Sequence, residues 1–141
     1  METSAIPTIT IPFFKSCIEC GFPSPAQDYM EEDIDLTKLL IRHPLATFLI
    51  RAKGDSMNKA NIPHNALLLI DKSLTPKNND IVVAYYEGGF NVKRLIKNKR
   101  ECTLMPESDN PIHKSTTITE ELNCVIWGVV VQIIIDPKYK D

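Results

Sequence analysis

Two residues of this 141-residue chain offer nucleophilic chemistry: a serine behind a glycine-aspartate pair and a lysine inside a strand-like run. The first is in Lys53-Gly54-Asp55-Ser56-Met57, directly after an apolar segment. Gly54 lets the backbone turn sharply. Ser56 then sits at the head of a loop, where a hydroxyl is exposed and backbone N–H groups can face an oxyanion. A serine after Gly-Asp also often does no more than hydrogen-bond a turn, so the motif alone leaves both readings open. The second is Lys93, in Phe90-Asn91-Val92-Lys93-Arg94-Leu95-Ile96. Side chains alternate across a strand, so Lys93 points with Leu95 and Arg94 points away. Lys93 is either a lysine lying along a half-solvated sheet or one whose amine is held in an apolar pocket.

The pocket matters because an ammonium ion has no lone pair and cannot act as a base. A free lysine titrates near pH 10.4, so its neutral form at pH 7 lies roughly 4.6 kcal/mol away. Burial lowers a lysine pKa by up to about 3–5 units, which covers that deficit. A desolvated Lys93 can then take the Ser56 proton without a histidine. Ser-Lys pairs are an established form of nucleophilic catalysis.

These side chains need strands and turns to position them. Runs rich in Val, Ile, Leu and aromatics at 47–52, 66–71, 81–86, 90–96, 102–105 and 124–135 predict strands, separated by Asn, Asp, Gly, Pro and Lys. Glu87-Gly88-Gly89 predicts a hairpin between two of them. Strands at this spacing predict a compact, mostly antiparallel β fold. One short helix is predicted over 33–43, with Leu36, Leu39 and Leu40 on one face, Asp33 or Asp35 as cap and Pro44 as stop. Residues 1–26 read as an arm: Pro7, Pro12, Pro23 and Pro25 forbid regular helix and favour extended chain. The arm also carries Ile6, Ile9, Ile11, Phe13 and Phe14, so it should dock on its own body or a partner.

The hydrophobic fraction of 43% is enough for a packed core. Sixteen Lys+Arg against 18 Asp+Glu leave a net charge of −2, which gives no global basic field for nucleic acid. The longest apolar stretch, 124–135, is too short for a membrane span and is broken by Gly128 and Gln132. Met1-Glu2-Thr3-Ser4 does not open a signal peptide, so a cytoplasmic location is expected. Cys17, Cys20, Cys102 and Cys124 are then reduced thiols. Cys17-Ile18-Glu19-Cys20 lacks the second close pair that a metal site would need, so no metal is expected.

The motifs together resemble a known family. Phe22-Pro23-Ser24-Pro25-Ala26-Gln27-Asp28-Tyr29, Ile34-Asp35-Leu36, Leu39-Leu40-Ile41 and His43-Pro44 resemble the start of UmuD-type SOS mutagenesis proteins, which belong to the LexA-like self-cleaving Ser-Lys peptidases (peptidase S24). Gly54-Asp55-Ser56-Met57 resembles that family's nucleophile motif, and Val92-Lys93-Arg94-Leu95 its lysine motif, with Ser56 and Lys93 37 residues apart. Val125-Ile126-Trp127-Gly128-Val129-Val130 resembles its closing strand. The resemblance covers about residues 18–135. The chain departs from the family's pattern at Asn65-Ala66, where Gly-Asp is usual, and at Asn79, where Gly is usual. Asparagine tolerates left-handed turns; the missing aspartate at Ala66 changes the polar groups near the site.

The resemblance implies an all-β LexA-type peptidase domain at 27–141 and a cleavable arm at 1–26. It implies Ser56 as nucleophile, Lys93 as general base, and the Ser56 and Met57 backbone N–H groups as oxyanion donors. The bond cut would be Cys20–Gly21, where glycine permits close approach and cysteine fits a shallow pocket. No cofactor is implied. The implied partners are a second copy in a homodimer, a RecA–single-stranded DNA filament that stimulates cleavage, and a Y-family (UmuC-type) translesion polymerase. A non-cleaving interaction module that regulates a polymerase is the alternative. A LexA-like repressor would need a helix-turn-helix ahead of the cut, for which 20 proline-interrupted residues leave no room. A signal-peptidase-like enzyme would need a membrane anchor.

Overall fold

The computed structural model describes residues 8–14 and 30–138. The chain divides into two compact units, Met1–Arg42 and His43–Asp141. The expected boundary between arm and domain, at 26/27, lies outside the described residues.

In the first unit, β1 (Ile11–Phe14) pairs antiparallel with β2 (Met30–Ile34), with Ile11 opposite Ile34 and Phe13 opposite Glu32. Pro12 is tolerated because a two-stranded ribbon consists of edge strands. The helix α1 spans only Leu36–Leu40. The Asp35 carboxylate caps it, accepting from the Thr37 and Lys38 N–H groups at 2.9 and 3.3 Å. The predicted helix over 33–43 is therefore trimmed at both ends. Pairing with β1 draws residues 33 and 34 into β2. At the other end Ile41 is extended, and Pro44 disfavours helix at His43 and starts a separate 3-10 turn, Pro44–Ala46. No residue of α1 is buried, so its leucine stripe forms no core.

The second unit holds one antiparallel sheet of seven strands: β3 (Thr47–Arg51), β4 (Leu67–Asp71), β5 (Ile81–Tyr86), β6 (Gly89–Lys97), β7 (Cys102–Met105), β8 (Thr116–Thr117) and β9 (Val125–Ile134). Their order is β3-β4-β9-β5-β6-β7-β8. The fold is thus all-β and mostly antiparallel with one short helix, as the sequence implied. The six predicted strands are present within a residue at each end. The two-residue β8 is too short to show a period.

The β5–β6 hairpin closes with Glu87 and Gly88 alone, since Tyr86 pairs with Gly89. Both loop residues have positive φ, 52° and 78°, the tight-turn geometry that matches strand twist. Asn65 and Asn79 take φ of 72° and 75°. Asparagine thus supplies the left-handed turns at both positions. Strand β9 slips register twice, against β5 at Trp127 and against β4 at Val131. These bulges explain why 125–134 never alternates cleanly in sequence.

Successive residues of β5 enter different clusters. Val83 packs with Leu68, Ile70, Met57 and Ile62, while Val82 and Ala84 pack with Leu95, Leu104 and Val129. The sheet is therefore buried on both faces around β5.

Candidate active site

Strand β3 runs into the turn that carries Ser56. Gly54 has φ 86° and its N–H donates to His64 Nδ1 at 2.8 Å, so that ring nitrogen presents its lone pair to the turn. A 3-10 turn, Asn58–Ala60, follows. Met57, just before it, and Ala60, its last residue, are buried in the core. The Ser56 backbone is thereby fixed between an exposed Gly54 with a half-buried Asp55 and a buried methionine. Among the described residues, no hydrogen bond engages the Ser56 or Met57 N–H.

Lys93 lies on β6 opposite Val82 of β5. It is 8% exposed and Leu95 is 1% exposed, so the alternation puts both inward. Burial resolves the two readings of Lys93 in favour of the pocket. The Lys93 Nζ–H donates to Ser56 Oγ at 3.1 Å. Burial pushes the lysine pKa below its ordinary value, with no charged neighbour contributing. Once the amine is neutral, its lone pair can accept the serine proton along the same line.

Two hollows meet at this amine. One, of about 240 Å³, is lined by Ser56 and Lys93 with apolar Ile50, Met57, Ile62 and Phe90. The other, of about 390 Å³, is lined by Lys93, Tyr86, Phe90, His113 and Thr116.

The segment 107–113 braces the serine turn from outside. The Glu107 N–H donates to the Ser56 carbonyl, and the Lys59 N–H to the Glu107 carbonyl, both at 2.9 Å. Arg94 holds Glu107 in a two-point ion pair at 2.8 and 2.9 Å, which keeps the Glu107 carboxyl below the usual range. His113 Nε2 lies 2.6 Å from Asp55 Oδ1, and Asn110 Nδ2 donates to Asp55 Oδ2 at 3.1 Å. These bonds lower the Asp55 pKa. A second His-Asp pair, His43 Nδ1 to Asp71 Oδ2 at 2.6 Å, is distinct from the serine turn and orders the start of the second unit.

The structure thus brings Ser56 and Lys93 together, with Met57 beside them. Cys20 and Gly21, and Cys17 with them, lie outside the described residues. Ala66 is 3% exposed in the apolar cluster, where its carbonyl accepts from the Ala52 N–H at 2.8 Å. A methyl side chain fits that setting. Cys102 and Cys124 are free thiols. No group of three or more His, Cys, Asp or Glu among the described residues is arranged to hold a metal ion. No helix among them is long and apolar enough to cross a membrane. Sequence reasoning missed the 107–113 brace. Its only signal was a cluster of turn formers, Ser108-Asp109-Asn110-Pro111, without periodicity.

Residues 12–131 match the family described as Peptidase S24-like. Protein ImpA of Salmonella typhimurium is 43% identical over 123 residues, which span 87% of this chain and 82% of ImpA. Protein MucA of Escherichia coli is 38% identical over 127 residues, 90% of this chain and 86% of MucA. LexA repressor 1 of Geobacter sulfurreducens is 36% identical over 93 residues, 66% of this chain and 45% of the repressor. With a peptidase profile over nearly the whole chain and such relatives along most of its length, this chain belongs to the S24 serine peptidase family and is of the UmuD type.

Proposed function

We propose that this protein cleaves its own N-terminal arm with a Ser56–Lys93 dyad. The observation that carries this reading is the 3.1 Å approach of Ser56 Oγ to a lysine amine that burial alone makes less basic. Neutral Lys93 takes the hydroxyl proton while Ser56 Oγ attacks the Cys20 carbonyl. The uncommitted Ser56 and Met57 N–H groups are the candidate donors to the oxyanion. Lys93 then protonates the Gly21 amine as it leaves, and water releases the acyl-enzyme. Hollows on both sides of the amine suit a peptide that runs across it. Because substrate and catalyst share a chain or a dimer, high effective concentration replaces affinity.

In this reading the arm is 1–26 and the peptidase domain 27–141, in the cytoplasm. Likeness to UmuD-type proteins supports a homodimer whose cleavage a RecA–single-stranded DNA filament stimulates. The trimmed form would then serve a Y-family (UmuC-type) polymerase in error-prone translesion synthesis.

The test is incubation of the full chain with RecA filaments, followed by mass analysis. Filament-dependent appearance of a fragment beginning at Gly21, absent with Ser56→Ala, is expected. A chain that stays whole with filaments and at high pH would instead mark a non-cleaving interaction module.

A further inference from the structure

We infer that His113 and Asn110 are positioning residues for Ser56, acting through the Asp55 carboxylate. This rests on the reading of Ser56 as nucleophile. The direction in which Oγ points depends on the backbone of residues 54–56. On one side that backbone is permissive: Gly54 has positive φ, and nothing lies within 4 Å of where its Cβ would be. The restraint comes from the other side. Both Asp55 carboxylate oxygens are occupied, one by His113 Nε2 at 2.6 Å and one by Asn110 Nδ2 at 3.1 Å. A carboxylate only accepts, so His113 Nε2 carries the proton of this bond. One residue further on, the Glu107 N–H holds the Ser56 carbonyl.

The anchor is itself braced. Asn110 Oδ1 accepts from the Ile112 N–H at 3.1 Å while its Nδ2 donates to Asp55, so its amide has a defined orientation. The Asn110 N–H donates to Ser108 Oγ at 3.0 Å. The Asp55 side chain is 48% exposed, and so exposed a pair adds little to global stability. Its effect should therefore appear in the reactivity of Ser56 and not in the melting temperature.

The experiment compares the full chain with His113→Ala and His113→Gln at pH 10. It reads three quantities: the self-cleavage rate, the rate at which a small fluorophosphonate labels Ser56, and the thermal midpoint. Glutamine retains an N–H donor close to the imidazole Nε2 position. Expected are a loss of about tenfold or more in both rates for His113→Ala, recovery to near the parent with His113→Gln, and unchanged midpoints. Wild-type rates in His113→Ala would overturn the inference. Slowed cleavage with undiminished labelling would overturn it too, because His113 would then touch only the cleaved segment. Equal losses in both variants with a lowered midpoint would reduce His113 to a structural part. If the parent chain neither cleaves nor labels, Ser56 is not the nucleophile and the inference falls with that reading.

Discussion

Lys93 Nζ meets Ser56 Oγ at 3.1 Å although the two residues lie 37 positions apart, one on a strand and the other on a turn. The strand buries the amine, and the turn offers the hydroxyl at its tip. Desolvation is the cause that moves the lysine toward neutrality, so its lowered pKa comes from packing and not from a partner charge.

Charge alone should therefore be insufficient at position 93. Lys93→Arg keeps a cation but puts there a group that does not deprotonate in proteins. Self-cleavage should fall at least about a hundredfold at every pH tested. First-order rates from intact mass check this.

Burying Lys93 also costs stability, with a definite pH dependence. Its folded pKa lies below the unfolded value, so between the two the unfolded chain binds more protons and stability rises with pH. Lys93→Met should be more stable than the parent at pH 7. Its advantage should shrink as pH rises toward about 10.4, the unfolded lysine value. Urea unfolding at a series of pH values measures both trends.

Asp71 should act in the opposite limb. Burial raises its pKa, but hydrogen bonds from Ser73 and His43 outweigh burial and leave it below the ordinary carboxylate value. A depressed folded pKa contributes stability above the unfolded value, about 3.9, and that contribution is lost as pH falls below it. Asp71→Asn should therefore be less stable at pH 7, by about 1–3 kcal/mol for the disturbed buried bonds. The gap to the parent should narrow as pH falls below the ordinary carboxylate value. Denaturant midpoints across that range test it.

Gly128 of β9 lies against Ile70 and Asp71 of β4 with no space for a side chain. A Cβ there would lie 2.6 Å from Ile70 Cγ2 and 3.1 Å from the Asp71 carbonyl oxygen. Ile70 is fully buried and stiff at χ1, so it has little room to yield. Gly128→Ala should destabilise by about 1–3 kcal/mol, seen as a lower thermal midpoint.

The strands were legible in sequence because each is a local signal, whereas the residues alone left Ser56 and Lys93 open and only the family resemblance paired them. Runs rich in Val, Ile, Leu and aromatics located β3 to β7 and β9, and alternation put Lys93 on the same face as Leu95. What escaped depends on pairing over distance. Residues 33 and 34 look helical by spacing, yet β1 claims them for β2. The leucine face of 33–43 predicted a longer helix than Pro44 and that pairing allow. The Asp55–His113 bond joins residues 58 apart through a loop without a period, so nothing local announces it. The two asparagine turns were legible for a physical reason, since asparagine is the non-glycine residue that best tolerates positive φ.

The most direct measurement follows intact mass over time for the purified chain, without partners, from pH 7 to pH 10, beside Ser56→Ala and Lys93→Ala. The dyad predicts a fragment beginning at Gly21, formed up to about tenfold faster per pH unit until Lys93 is neutral, and absent from both variants. A rate indifferent to pH, or cleavage that persists in Lys93→Ala, would contradict it.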